Sequence, residues 1–173
     1  QNMSGNIRNT CFLDCSGSPL ILLPVRVASR WRGVTDAASE KPLDLNLVDP
    51  HTDYDRACAA SSSANALLNF GGEEVLVIYT ESDWHTWVEE MSIVMCGHWI
   101  PKPELLESVT WIDPLVWNCS EANPILLNSS VDASVGLTEA EHFLKTALRS
   151  GVYKVETALV TDGTFGGIAH RFR

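Results

Sequence analysis

The apolar residues of this chain come in short runs, and proline, glycine or asparagine closes most of them. Leu20-Ile21-Leu22-Leu23 stops at Pro24, and Glu74-Val75-Leu76-Val77-Ile78-Tyr79 follows a turn-forming stretch at 69–72. Short runs bounded by turn formers read as buried strands rather than helices. The same reading predicts strands at 12–14, at 93–100 before Pro101, at 109–117 broken at Pro114, and at 124–127. Over 152–160, Val152, Lys154 and Glu156 alternate with Tyr153, Val155 and Thr157. With 168–172 beyond the glycine-rich turn at 162–167, this segment predicts a hairpin. No apolar stretch approaches the roughly 20 residues that a membrane-crossing helix needs.

Helical signals are fewer. The best helix is expected at 138–150. Thr138 and Glu141 form a capping box, and Ala140, Phe143, Leu144, Ala147 and Leu148 fall on one face. Lys145 and Arg149 near its end, with Gly151 after it, agree with the helix dipole and C-cap rules. A short helix is expected at 103–108, with Pro103 in its first turn. Residues 84–88 are ambiguous, because Trp84 and Trp87 lie three apart, as on a helix face. Residues 53–58 alternate in a way that favours a strand, and 34–50 reads as a long polar loop. No regular strand–helix–strand alternation is present, so a doubly wound parallel sheet is not expected. The fold class that follows is α+β: a mainly antiparallel sheet of short strands with one or two helices.

At 173 residues and 45% hydrophobic, the chain suits one domain with a real core. That domain is expected over 12–173, after an N-terminal segment 1–11 in which Gln1 and Asn2 before Met3 read as a remnant of expression. No basic segment followed by an apolar one marks it for secretion, so a cytoplasmic location is expected. The cysteines Cys11, Cys15, Cys58, Cys96 and Cys119 are odd in number and show no C-x-x-C spacing. That pattern favours reduced thiols over a disulfide framework.

The net charge is −10, which argues against a protein that neutralises nucleic-acid phosphates. The negative excess sits in the middle: residues 33–122 carry sixteen acids against three bases. Such a segment is either a solvated surface or a face that steers a basic partner. Trp84 and Trp87, flanked by Asp83, Glu89 and Glu90, are the first choice as partner-binding anchors, because tryptophan is enriched at binding hot spots. His51-x-Asp53-x-Asp55 is the best metal-like cluster, since alternate strand residues point the same way. It supports one alternative, a metal-dependent hydrolase using His51, Asp53 and Asp55. No complete catalytic set, P-loop or dinucleotide fingerprint is present, so no catalytic residue and no cofactor is expected.

Three stretches in order carry a resemblance: Ser16-Gly17-Ser18-Pro19-Leu20-Ile21-Leu22-Leu23-Pro24, then Trp31-Arg32-Gly33, then Asp53-Tyr54-Asp55-Arg56-Ala57-Cys58. Gly72-Glu73-Glu74-Val75-Leu76-Val77 and Gly151-Val152-Tyr153 fit the same placement. Together they resemble the immunity protein 21 family of bacterial polymorphic toxin systems, over almost the whole chain. The resemblance implies an α+β fold and a non-enzymatic role: binding and neutralising a cognate toxin domain inside the producing cell. A general protein-interaction module is the remaining alternative. Gly33 is expected to allow a backbone turn after Trp31, and Arg56 to pair with Asp53 or Asp55.

Overall fold

The computed structural model describes residues 11–35 and 52–173. Eleven strands form two sheets: β1 (Leu13–Asp14), β2 (Leu20–Leu23), β3 (Ala66–Phe70), β4 (Glu73–Ile78), β5 (Trp84–Val88), β6 (Ile93–Cys96), β7 (Ile112–Cys119), β8 (Ile125–Asn128), β9 (Phe143–Lys145), β10 (Gly151–Thr161) and β11 (Gly166–Phe172). One sheet has the order β1-β5-β6-β11-β10-β7 and the other β3-β4-β2-β8-β9. All their strand pairs are antiparallel. Among the described residues three short helices, α1 (Val25–Ala28), α2 (Asp53–Ala60) and α3 (Pro103–Glu107), join these sheets in an α+β fold.

The two sheets pack face to face, and period-two alternation explains why their central strands read as unbroken apolar runs. Leu20, Leu22, Leu76, Ile78 and Leu126 of the five-stranded sheet point inward, against Val94, Cys96, Val155, Ile168 and Phe172 of the six-stranded sheet. Ile21, Leu23, Val75, Val77, Ile125 and Leu127 point outward, into a second core closed by Trp31, Val27, Ala28 and Ala57. A strand buried on both faces must be apolar at every position. The outer face of the six-stranded sheet has a third, smaller core, where Met95, Val160 and Ala169 meet Leu105 and Leu106 of α3 and the indoles of Trp99 and Trp111.

The hairpin expected near the C-terminus forms as β10–β11, and 103–108 becomes α3. Residues 84–88 resolve as strand β5. The strand expected over 93–100 stops at Cys96.

Two expectations are corrected. Residues 138–150 are not a helix: they make a tight turn and then β9, the edge strand beside β8. The Thr138 carbonyl does accept the His142 N–H at 2.9 Å, but Ala140 takes a φ of +68° and the helical path ends there. Beyond it Leu144, Thr146 and Leu148 are buried while Lys145, Ala147 and Arg149 are exposed, which is a strand's alternation. Thr146 is comfortable inside because its hydroxyl donates to the Pro124 carbonyl at 2.7 Å. Residues 53–58 are helical rather than extended. Thr52 caps α2 by accepting the Asp55 N–H, Asp53 and Asp55 occupy the first turn, and Ala57, Ala59 and Ala60 favour helix.

Candidate partner-binding surface

β5 carries the tryptophans expected to anchor a partner. Residues three apart on a strand face opposite ways. Trp84 therefore lies on the α3 side, stacked on His98 with ring centroids 4.5 Å apart and planes 16° apart. Phe12 meets the same imidazole edge-on at 5.6 Å. Phe12 and His98 border a groove of about 530 Å³ whose walls also include Trp99, Leu105 and Phe165. Phe165 is 56% exposed, which is unusual for so large an apolar side chain. Asp83, exposed, precedes Trp84, and Lys102 and Asp162 stand at the groove.

Trp87 points the other way, into the inter-sheet core, edge-on to Phe172 at 5.7 Å. Its indole Nε1 donates to Glu89 Oε2, and the same carboxylate oxygen accepts the Ala147 N–H at 3.3 Å. Glu89 thus links β5 to the segment after β9, across the two sheets. Glu90 is exposed on the short 3₁₀ turn, Glu89–Met91. The structure stacks Trp84 behind His98, one wall of the groove, and turns Trp87 to the opposite face of β5.

Of the metal-like cluster, His51 lies outside the described residues. Asp53 is 5% exposed and already committed: one oxygen accepts the Arg32 N–H at 2.8 Å, and the other pairs with the Arg56 guanidinium. Asp55, two residues further along α2, is exposed.

The three stretches singled out in the sequence converge on one clasp. Trp31 is fully buried, its Nε1 donating to the Ser129 carbonyl at 2.9 Å. The Trp31 carbonyl accepts the Ala133 N–H at 2.8 Å, and the Gly33 carbonyl accepts the Tyr54 N–H at 3.0 Å. Gly33 has a φ of +58°, and a Cβ there would lie 2.4 Å from the carbonyl oxygens of both Ser130 and Val131. Only glycine fits that approach. The Tyr54 phenol is raised above its ordinary pKa by the Cys58 thiol, with the Ser18 hydroxyl acting against it, so Ser18 and α2 meet here as well.

The family described as immunity protein 21 matches residues 11–165, most of the chain. The chain belongs to the immunity protein 21 family. No curated protein and no solved structure matches it.

The clasp gives the family signature of this immunity protein 21 chain a structural meaning. The groups of Trp31, Gly33 and Asp53 are spent on internal hydrogen bonds, so they shape the fold rather than offer free chemistry. The buried Cys96 and His85 show the same restraint. Both neighbour the Thr80 hydroxyl, which lies 2.6 Å from His85 Nε2. Burial pushes the Cys96 thiol up to about 12 and the His85 imidazole down to about 4. An activated thiolate–imidazolium pair needs the opposite shifts. Among the described residues no group of three His, Cys, Asp or Glu side chains could hold a metal ion, and no helix is long and apolar enough to cross a membrane.

Sequence reasoning nominated Trp84 and Asp83 and did not single out the residues that line the groove. Phe12, His98 and Phe165 come from three distant stretches, joined only by the β1-β5-β6-β11 strand order. The one local signal was the odd exposure implied by Phe165 within a glycine-rich turn.

Proposed function

We propose that this protein binds and neutralises a cognate toxin of a polymorphic toxin system in the cytoplasm of the producing cell, without catalysing a reaction. Membership of the immunity protein 21 family carries this reading. The aromatic groove beside β5 supports it, because rigid aromatic side chains with a polar rim are what an interface core requires. Trp84, stacked behind the His98 wall of the groove, and the exposed Asp83 before it are the contacts we assign, and Glu90 adds to the field that a basic toxin domain meets on approach. Trp87 and Glu89 support this face from within. The acidic excess of the chain favours a basic partner and acts on the rate of encounter.

The test is co-expression with the product of the adjacent toxin gene. Rescue of growth by the intact chain, together with a complex that co-purifies, is the expected result. Undiminished toxicity with no complex, for every neighbouring toxin tried, overturns the reading. Within the complex, an association rate that falls as salt rises supports steering, and a flat rate removes the acidic segment from the account.

A further inference from the structure

The polar end of the inter-sheet core is built around two histidines, His85 on β5 and His170 on β11, both fully buried. His170 Nε2 lies 2.8 Å from the Tyr79 carbonyl. A carbonyl only accepts, so Nε2 carries the proton and Nδ1 is a lone-pair acceptor. Asn65 Nδ2 and Thr157 Oγ1 each stand 3.0 Å from that Nδ1. Asn65 cannot turn round, because its Oδ1 takes the Tyr79 N–H at 2.9 Å. A second proton on His170 would therefore set an N–H against the amide NH₂ of Asn65, with only the Thr157 hydroxyl able to rotate and accept it.

His85 is buried beside His170. The Thr80 hydroxyl lies 2.6 Å from His85 Nε2 and 3.1 Å from the Ser82 carbonyl, and its single proton can serve only one of them. His85 Nδ1 makes no well-formed hydrogen bond, although the Leu13 carbonyl beside the ring favours its charged form.

The network spans the seam. His170 and Thr157 belong to the six-stranded sheet, while Asn65 and Tyr79 flank β3 and β4 of the other. We propose that it is a proton-operated lock: it is closed with both rings neutral, and a proton on His170 Nδ1 breaks the Asn65 bond and frees the β3–β4 hairpin from the opposite sheet.

The ionisable neighbours do not rescue the charged form. Asp14 on β1 favours a charged His85 but is exposed. Cys96 on β6 faces His85, and both it and Cys15 stay protonated. The Tyr79 phenol is turned to Glu81. Glu156 is held by Arg171 and Arg173, one position away from Thr157 and so on the other face of β10. Each histidine disfavours a charge on the other.

Burial holds both rings near 4 rather than the ordinary 6.5, against the backbone hydrogen bonds of Leu13 to His85 and Tyr79 to His170, which favour the charged form. The opened state takes up protons first, so the closed state is favoured fully above about 6.5 and loses ground as pH falls toward about 4.

The experiment is long-range ¹H–¹⁵N NMR of the histidine rings in the full chain, titrated from neutral to acid pH, with unfolding by urea at each step. The expected result is the Nε2–H tautomer for His170 at neutral pH, with unfolding midpoints that drop through the stated window. The variant Asn65→Asp sets a carboxylate against His170 Nδ1. It should raise the His170 titration above the ordinary histidine value and remove the His170 share of the acid sensitivity, leaving that of His85. Should that variant not fold, the wild-type rings decide alone. A His170 that titrates near 6.5, or carries its proton on Nδ1, overturns the lock, as does an Asn65→Asp protein with unchanged acid sensitivity.

Discussion

Trp84 and Trp87 stand on opposite faces of β5, the first stacked on His98 at 4.5 Å and the second edge-on to Phe172 at 5.7 Å. Their loss should therefore read out differently. Trp84→Ala is expected to leave the urea midpoint nearly unchanged and to speed dissociation of the toxin, by roughly 2 kcal/mol or more if it is a hot spot. Trp87→Ala opens space in the inter-sheet core and should destabilise the fold by about 2–4 kcal/mol, somewhat below the full cost of a buried Trp→Ala change because the ring is half-buried. Equal folding losses in the two variants would show that the faces are not distinct.

The neighbouring glutamates should divide in the same way. Glu90 is exposed, and no ion pair involves it among the described residues. Glu90→Lys is expected to slow association at low salt and leave stability within about 0.5 kcal/mol. Glu89 accepts from the Trp87 indole and from Ala147 N, so Glu89→Lys loses a bridge between the sheets as well as a charge. Its thermal midpoint should fall while that of Glu90→Lys holds. Identical midpoints would refute the bridging role.

Which helix is real can be decided by two caps. Thr52 accepts the Asp55 N–H at 3.0 Å at the start of α2, so Thr52→Ala should cost about 0.5–2 kcal/mol. Thr138 works through its backbone, whose carbonyl accepts from His142. Thr138→Ala should therefore stay within about 0.5 kcal/mol of the parent. The reverse order in chemical denaturation would restore a helix at 138–150.

These two segments show where the sequence was legible. Leu20-Ile21-Leu22-Leu23 and the run at 74–79 could be read because every residue is apolar and only a strand of that length fits between the turns. Leu144-Lys145-Thr146-Ala147-Leu148 satisfies both a helical period and a strand period. The choice turns on Thr146, which counts as polar until the Pro124 carbonyl is known to meet it. The pairing with β8, a tertiary fact, then outweighs the local capping signal. At 53–58 the alternation was weak, and the signal that mattered was Thr52 ahead of an alanine-rich run. For the candidate site, Trp84 and Asp83 could be nominated as types, but the groove near Trp84 could not be read. Its walls have no common spacing in the chain.

Gly33 should be the least replaceable residue of the clasp. With φ at +58° and two carbonyl oxygens 2.4 Å from any Cβ, Gly33→Ala must shift backbone, because no flexible side chain can give way. A loss beyond about 3 kcal/mol, or no folded protein at all, is expected. Gly72→Ala is the control: its φ is +82°, but nothing lies within 4 Å of the added carbon. It should carry only the conformational penalty, about 1 kcal/mol. Similar losses at the two positions, measured by urea denaturation, would show that the close approach at Gly33 is unimportant.

The cysteines should separate by burial. Cys11 is exposed and Cys58 half-buried, whereas Cys15, Cys96 and Cys119 are buried. Burial raises all three buried thiols, Cys96 to about 12. The thiolate is the reactive form, so iodoacetamide at mildly alkaline pH should modify Cys11 first and Cys58 more slowly. The remaining three should react only after unfolding, which peptide mass mapping can follow. The same shifts fix a direction for stability. An unfolded cysteine gives up its proton near 9, while folded Cys96 keeps it to about 12. Unfolding therefore releases protons within that window, and stability that is complete below 9 should decline as pH rises through it. Replacing Cys96 with alanine would create a cavity but remove its share of this alkaline slope. An unchanged slope in Cys96→Ala, or rapid native labelling of Cys96, would mean that the thiol is not sealed between the sheets.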